Sequence, residues 1–186
     1  MHEDDDEIRR LLGDGASRGV VESMPELLTA ARGFAARAWD VEARPPDDPL
    51  EKRFGPVHFV ISRRWVPQPP DPRRLAWRVE DRALLWFEAM AGARSTPSLE
   101  AYLAQRGAVT QDGYYRFGLA PLSHHSGLEA WEVGEIAPQL AERPTRYVRL
   151  LRARRAILAL TVEASGGISS NVGVPFAGVF HSLWVD

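Results

Sequence analysis

The spacing of hydrophobic residues changes along the chain, from a helical period near the N-terminus to a strand period after residue 55. In the N-terminal part they recur at the 3.6-residue spacing of an amphipathic helix. The members of this apolar stripe are Leu27, Leu28, Ala31, Phe34, Ala35, Ala38 and Trp39. Residues 23–26 precede the stripe with the spacing of a capping box, which predicts the start of the helix. Such a stripe packs either on the protein's own core or on a partner protein.

A proline-rich stretch follows the predicted helix. Residues 44–49 contain three prolines and two aspartates, which disfavour both a helix and a strand ladder. We therefore predict an N-terminal helical arm over residues 1–44, a linker over 45–54 and a main domain over 55–186.

Within the main domain, alternating polar and hydrophobic positions predict a series of strands. These cover residues 57–61, 75–79, 83–91, 113–118, 129–137, 145–152 and 156–165. The last two are expected to pair as an antiparallel hairpin, and 83–91 would also suit a helix. Thr96 and Pro97 predict the start of one helix, and the spacing of hydrophobic residues over 175–184 predicts a closing helix. Runs of adjacent strands with few helices indicate an α+β fold with a mainly antiparallel sheet.

Short sequence motifs occur in a definite order between residues 55 and 186. Among them are Phe59 to Trp65, Ala83 to Ala91, Ser98-Leu99-Glu100-Ala101-Tyr102, Gly127 to Ala130, Tyr147-Val148-Arg149, Leu158 to Ala164 and Phe176 to Leu183. This order resembles that of the PsbP-like, Mog-type family. The resemblance implies an α/β/α sandwich and a non-catalytic role, since members of that group bind photosystem subunits, a small GTPase or type VI secretion effectors. It implies no catalytic residues.

Composition excludes several classes of protein. The 186 residues are 45% hydrophobic and 26% charged, with no cysteine and a net charge of −2. A chain without cysteine has no disulfide, thiolate metal site or cysteine nucleophile. The near-neutral charge argues against a nucleic-acid partner, and no hydrophobic run reaches the ~18 residues that membrane insertion requires. The acidic N-terminus is unlike a secretory signal, so we expect a cytoplasmic protein.

The familiar catalytic and phosphate-binding motifs do not occur in the sequence, so we predict neither an enzyme nor a cofactor. The most suggestive segment is the pair His124 and His125, flanked by Ser123 and Ser126. Histidines can bind a metal ion or act as a general base near pH 7. Two exposed loop histidines are the alternative, and neighbouring strand residues would point to opposite faces.

Arginine supplies almost all of the positive charge, since Lys52 is the only lysine. This usage is typical of a high-GC bacterial genome. Along the strand 145–152, alternation places Arg146 and Arg152 on one face and Arg149 on the other. The hairpin tip could bind an acidic partner or protect a sheet edge. Our candidate partner-binding residues are Leu27, Leu28, Phe34, Trp39, Trp65, Trp77, Arg152, Arg154 and Arg155.

These observations predict a non-catalytic protein-binding module. Its concrete form would be an adaptor, a chaperone or a structural component of a larger bacterial assembly, with secretion as one setting. An immunity-type or regulatory inhibitor of one partner protein is the first alternative. A small metal-dependent hydrolase using His124 and His125 is the second. The partners expected are other proteins, and the sequence leaves a homo-oligomer open.

Overall fold

The computed structural model describes residues 40, 42–81, 83–90, 98–106, 109–137, 140, 142, 144–153, 156–165 and 167–186, without the side chains of 117–119. The strands in these residues are β1 (Pro49–Phe54), β2 (Val57–Ser62), β3 (Val66–Pro67), β4 (Arg74–Glu80), β5 (Ala83–Ala89), β6 (Tyr115–Leu122), β7 (Glu129–Ile136), β8 (Thr145–Ala153), β9 (Ala156–Ala164) and β10 (Trp184–Val185). The helices with both ends in these residues are α1 (Leu99–Ala104) and α2 (Ser170–His181).

A seven-stranded antiparallel sheet forms the centre of the molecule, in the order β3-β4-β5-β9-β8-β7-β6. Strands β8 and β9 make the predicted hairpin, whose register runs from Thr145 opposite Ala164 to Ala153 opposite Ala156. Both faces of these central strands are largely buried. A strand covered on both sides needs hydrophobic residues at successive positions, which explains the long hydrophobic runs in this hairpin.

A second sheet and helix α2 cover one face of the large sheet. The small sheet has the order β1-β2-β10, and α2 contacts both β2 and β9. Val57, Phe59 and Ile61 alternate along β2 and are at most 1% exposed. They share one hydrophobic core with Phe176 and Phe180 of α2 and with the facing residues of β4, β5, β8 and β9. We call this the α2 face of the large sheet.

The opposite face carries a smaller core beneath helix α1. Leu99 and Tyr102 of α1 pack on a cluster that includes Val133 and Leu150 from β7 and β8. The side chain of Ser98 accepts a hydrogen bond from the backbone N–H of Ala101 and so caps the helix. The carboxylate of Glu129 accepts a second bond, of 2.7 Å, from the N–H of Leu99. We call this the α1 face.

The predicted α/β/α sandwich is wrong. The described residues form mostly antiparallel sheets, and a second sheet shares the α2 face with the helix. On the α1 face, the helix in the described residues has only six residues and contacts β7 and β8. The hydrophobic pattern after residue 55 has a period of two over most of its length. Such a pattern specifies strands, and the inner faces of two packed sheets bury their alternate residues against one another.

The individual strands agree well with the pattern, and the exceptions have physical causes. The predicted linker over 45–54 includes β1, which pairs with β2 along its whole length. This edge strand alternates exposed and half-buried side chains, so its sequence shows little hydrophobic signal.

Helix α2 begins at Ser170, five residues before the predicted start, and contains Pro175. The cap of α1 is Ser98; the predicted cap, Thr96, lies outside the described residues.

Candidate functional site

A fully buried arginine lies at the centre of the α2 face. Arg149 stands on β8 and is 0% exposed. Its Nη1 and Nη2 atoms donate to the two carboxylate oxygens of Asp40, at 2.9 and 2.8 Å. Asp40 also lies 2.9 Å from Nε2 of His181, in the last turn of α2. The planar guanidinium fork matches a carboxylate in this two-bond geometry, which holds the pair in one orientation.

Aromatic rings surround the guanidinium of Arg149. Its carbon Cζ lies 4.4 Å from the centre of the Phe180 ring, 5.2 Å from Phe176 and 5.5 Å from Tyr147. Cation–π attraction offsets part of the cost of removing the charge from water. Burial raises the pKa of Tyr147 well above its ordinary value, so the hydroxyl stays protonated and donates to Glu132. The Nε of Arg149 is buried and has no hydrogen-bond partner among the described residues.

The chain segment that supplies Asp40 lies along helix α2. We call it the strap and define it as Asp40 together with residues 42–47. A Cβ atom added at Gly178 would overlap the carbonyl oxygen of Arg44 and lie 3.2 Å from its carbonyl carbon. Glycine at position 178 therefore lets the backbone of the strap contact the helix directly. The pairing of Asp40 with Arg149 and this contact tie Asp40 and residues 42–44, predicted as part of a separate arm, to the main domain.

A cavity separates the rest of the strap from the domain. Its volume is about 350 Å³, and its walls come from the strap, the end of β2 with the following turn, and the first turns of α2. Charged walls include Glu42, Arg44, Asp47 and Arg64. The strap therefore makes close contacts at Asp40 and Gly178 and also borders an open cavity.

The paired histidines lie near Phe180, at the end of α2, but the two side chains have different surroundings. His124 is 6% exposed, and its Nε2 lies 2.9 Å from the carbonyl oxygen of Phe180. Since a carbonyl only accepts, Nε2 carries the proton and Nδ1 accepts from Ser126, at 2.6 Å. Burial lowers the pKa of His124, in keeping with a neutral ring. Both ring nitrogens are thus occupied.

Among the described residues, the histidine pair does not join a cluster of potential metal ligands. The ring of His125 lies 4.3 Å from that of His124, and His125 is exposed. No group of three or more His, Cys, Asp or Glu side chains in the described part of the chain is placed to hold a metal ion. The prediction of two exposed loop histidines is therefore wrong for His124, which fastens its loop to the end of α2.

A row of alternating charges crosses the α1 face. The register brings Glu163, Arg146, Glu135 and Arg116 opposite one another on β9, β8, β7 and β6. Arg146 donates to Glu163 at 2.6 Å, and Arg116 donates to Glu135 at 3.0 Å. Burial raises the pKa of Glu135, and Arg116 opposes that shift. These groups neutralise one another within the sheet.

The candidate partner-binding residues fall into three groups. Trp65 and Trp77 are 9% and 5% exposed and belong to the core, which leaves little of either ring for a partner. Arg152 stands on the α1 face, and its Nη1 is buried without a hydrogen-bond partner among the described residues. The others lie outside the described residues: Leu27, Leu28, Phe34, Trp39, Arg154 and Arg155.

Sequence reasoning missed Asp40 and the importance of Arg149. The alternation along β8 correctly placed Arg149 on the opposite face of the strand from Arg146 and Arg152. That face is the hydrophobic one, with Tyr147 and Leu151 as neighbours, and a lone arginine there signals a buried ion pair. The partner is 109 residues away in the chain, so no local pattern identifies it.

Comparison with known proteins gives a likeness of fold alone. No family model matches the chain, and no curated protein matches it. A protein of known structure from Bacteroides thetaiotaomicron is similar with a TM-score of 0.53 at 9% identity. The match covers 75% of this chain and 48% of that one, so the chain spans about half the length of its relative.

Two further structures are less similar. One is a Pseudomonas aeruginosa protein of unknown function named as a candidate regulator, with a TM-score of 0.37, 14% identity and coverage of 64% of this chain and 84% of that one. The other is LpqN of Mycobacterium tuberculosis, involved in cell envelope biogenesis, with a TM-score of 0.42, 14% identity and coverage of 76% and 80%. Likenesses this weak carry no argument about function.

The helices in the described part of the chain are all too short or too polar to cross a membrane.

Proposed function

We propose that this chain is a non-catalytic protein-binding module, serving as an adaptor, a chaperone or a structural component of a bacterial assembly in the cytoplasm. Residues before Asp40 make the main contact with the partner, and the two-sheet domain holds them in place.

The observation that carries the proposal is the anchoring of Asp40. A bidentate ion pair with a fully buried arginine fixes the point at which residues 1–39 join the domain. Separating Asp40 from Arg149 would leave the arginine charge without its carboxylate, which disfavours the separation. Directly before this fixed point, the sequence carries an apolar stripe that includes Leu27, Phe34 and Trp39. An apolar stripe at helical spacing suits helix-in-groove recognition by a partner.

The experiment that tests this role is affinity retrieval from the native host with three forms of the full chain. They are the unaltered chain, the double variant Leu27→Ser/Phe34→Ser, and the control Arg32→Gln. The double variant changes two residues of the predicted stripe. The control changes Arg32, a polar residue that lies between stripe positions. Retrieved proteins are identified and quantified by mass spectrometry.

We expect the unaltered chain and the Arg32→Gln control to retrieve the same proteins in stoichiometric amounts. The double variant should lose them, because serine removes the apolar surface that the partner would bury. All three chains should have the same melting temperature. The proposal would be contradicted if the unaltered chain retrieved no other protein, or if the double variant retrieved the same partners as the unaltered chain.

A further inference from the structure

We propose that Arg149 and His181 form a carboxylate-binding site, which Asp40 occupies from within the chain, and that an acidic extended segment of a partner takes this site when the strap is displaced. The inference deepens the proposed function, on which it rests for the existence of a partner. It names the chemistry of that partner and makes the strap an internal competitor.

The site has the properties of a receptor for one carboxylate. Three donors converge on Asp40: two guanidinium nitrogens of Arg149, at 2.9 and 2.8 Å, and Nε2 of His181, at 2.9 Å. The rings of Phe176 and Phe180 hold the guanidinium in place. Because the donors are already oriented, binding a carboxylate there costs little ordering of side chains.

The mouth of the site faces solvent. Arg149 is completely buried, whereas the side chains of Asp40 and His181 are 23% and 38% exposed. Arg149 thus lies at the bottom of the site, and Asp40 lies between it and the surface. A carboxylate arriving from outside reaches the same donors once Asp40 moves away.

Outside the ion pair and the contact at Gly178, the strap borders open space. Beyond the contact at Gly178, about 350 Å³ of space lies between residues 42–47 and the domain. Glu42, Arg44 and Asp47 are exposed, so releasing them uncovers little hydrophobic surface. Arg64 bounds the same space, so an acidic segment that replaced residues 42–47 would lie beside one further positive group. Charge complementarity therefore favours an acidic peptide as the occupant.

The test uses a labelled peptide with the sequence of residues 36–47 and a matched peptide in which the residue corresponding to Asp40 is asparagine. Binding is measured by fluorescence anisotropy to the full chain and to its Asp40→Asn variant. We expect the aspartate peptide to bind the variant at least tenfold more tightly than it binds the unaltered chain, because the internal competitor is absent. The asparagine peptide should bind neither.

A second measurement keeps the test decisive if Asp40→Asn fails to fold. The unaltered chain should bind the aspartate peptide weakly but saturably, and Arg149→Met should abolish this binding. Equal binding of the two peptides, or binding that survives Arg149→Met, would overturn the proposal, as would the absence of binding to every form. Partner retrieval is tested with Leu27→Ser/Phe34→Ser, which leaves Asp40 and Arg149 in place, so failure here is distinguishable from failure of the proposed function.

Discussion

Arg149 is a permanent charge on an otherwise hydrophobic strand face, and the fold compensates it with a carboxylate from 109 residues earlier in the chain. The strand and its alternation were predictable from sequence, because periodicity is a local property. The pairing with Asp40 was not, since it depends on where the chain returns after the sheets have formed. The same holds for His124, whose bond to the carbonyl of Phe180 joins residues 56 positions apart.

His124 should make stability fall with acidification. Burial lowers its pKa in the folded chain below the 6.5 of an exposed histidine. As the pH falls through 6.5, the unfolded chain takes up a proton before the folded one does, so the free energy of unfolding decreases. The contribution reaches about 1.4 kcal/mol per pH unit where only the unfolded state is protonated.

Urea unfolding of the unaltered chain and of His124→Gln between pH 7.5 and 5.5 measures this effect. The variant should be less stable at pH 7.5, but its free energy of unfolding should decline less with acidification because it lacks His124. The other histidines titrate in both chains and so do not contribute to the difference. Parallel curves would show that His124 does not resist protonation in the folded state.

At the scale of elements, the strands were largely predictable and the ends of the helices were not. Alternation identified β2, β4, β5 and β7 to β9 because each buries one or both faces. Strand β1 escaped because its residues are never fully buried. The first residues of α2 include serine, asparagine and glycine, whose weak helix propensity concealed the early start.

Helix α1 should depend on its capping residue. Replacing Ser98 by alanine removes the acceptor for the N–H of Ala101, at a cost of about 1 kcal/mol. The melting temperature should then fall by roughly 2–4 °C. Ser98→Thr retains the hydroxyl and should leave the melting temperature nearly unchanged in differential scanning calorimetry. If both variants melt alike, the hydroxyl has no capping role.

The contact between the strap and α2 should make Gly178→Ala destabilising. Alanine favours a helix over glycine by about 1 kcal/mol. Here the added methyl group would overlap the carbonyl oxygen of Arg44, and such overpacking typically costs about 1–3 kcal/mol. Chemical unfolding should therefore show a net loss. In a chain that begins at residue 48 and carries Arg149→Met, the strap is absent and the same substitution should be neutral or stabilising. Equal effects in the two chains would exclude the strap as the cause.

At the scale of the whole molecule, the strap belongs to the domain, although the sequence pattern assigns it to the arm and linker. A chain that begins at residue 48 lacks Asp40 and leaves Arg149 without its carboxylate. Loss of one partner of a buried pair costs about 3 kcal/mol, which lowers the melting temperature by roughly 6–12 °C. Arg149→Met in the same chain should recover most of that loss, because it removes the unpaired charge. A shortened chain that melts like the full one would show that the ion pair does not hold the domain together.

A chain that begins at Trp39 tests the central claim most directly. It keeps Asp40 and therefore the anchor, but it loses the predicted arm with Leu27, Leu28 and Phe34. Its melting temperature and its affinity for the retrieved partner, by calorimetry, are compared with those of the full chain. We predict an unchanged melting temperature and at least a hundredfold loss of affinity. Full affinity in the shortened chain, or a large fall in its melting temperature, would contradict the account of an anchored arm that binds a partner protein.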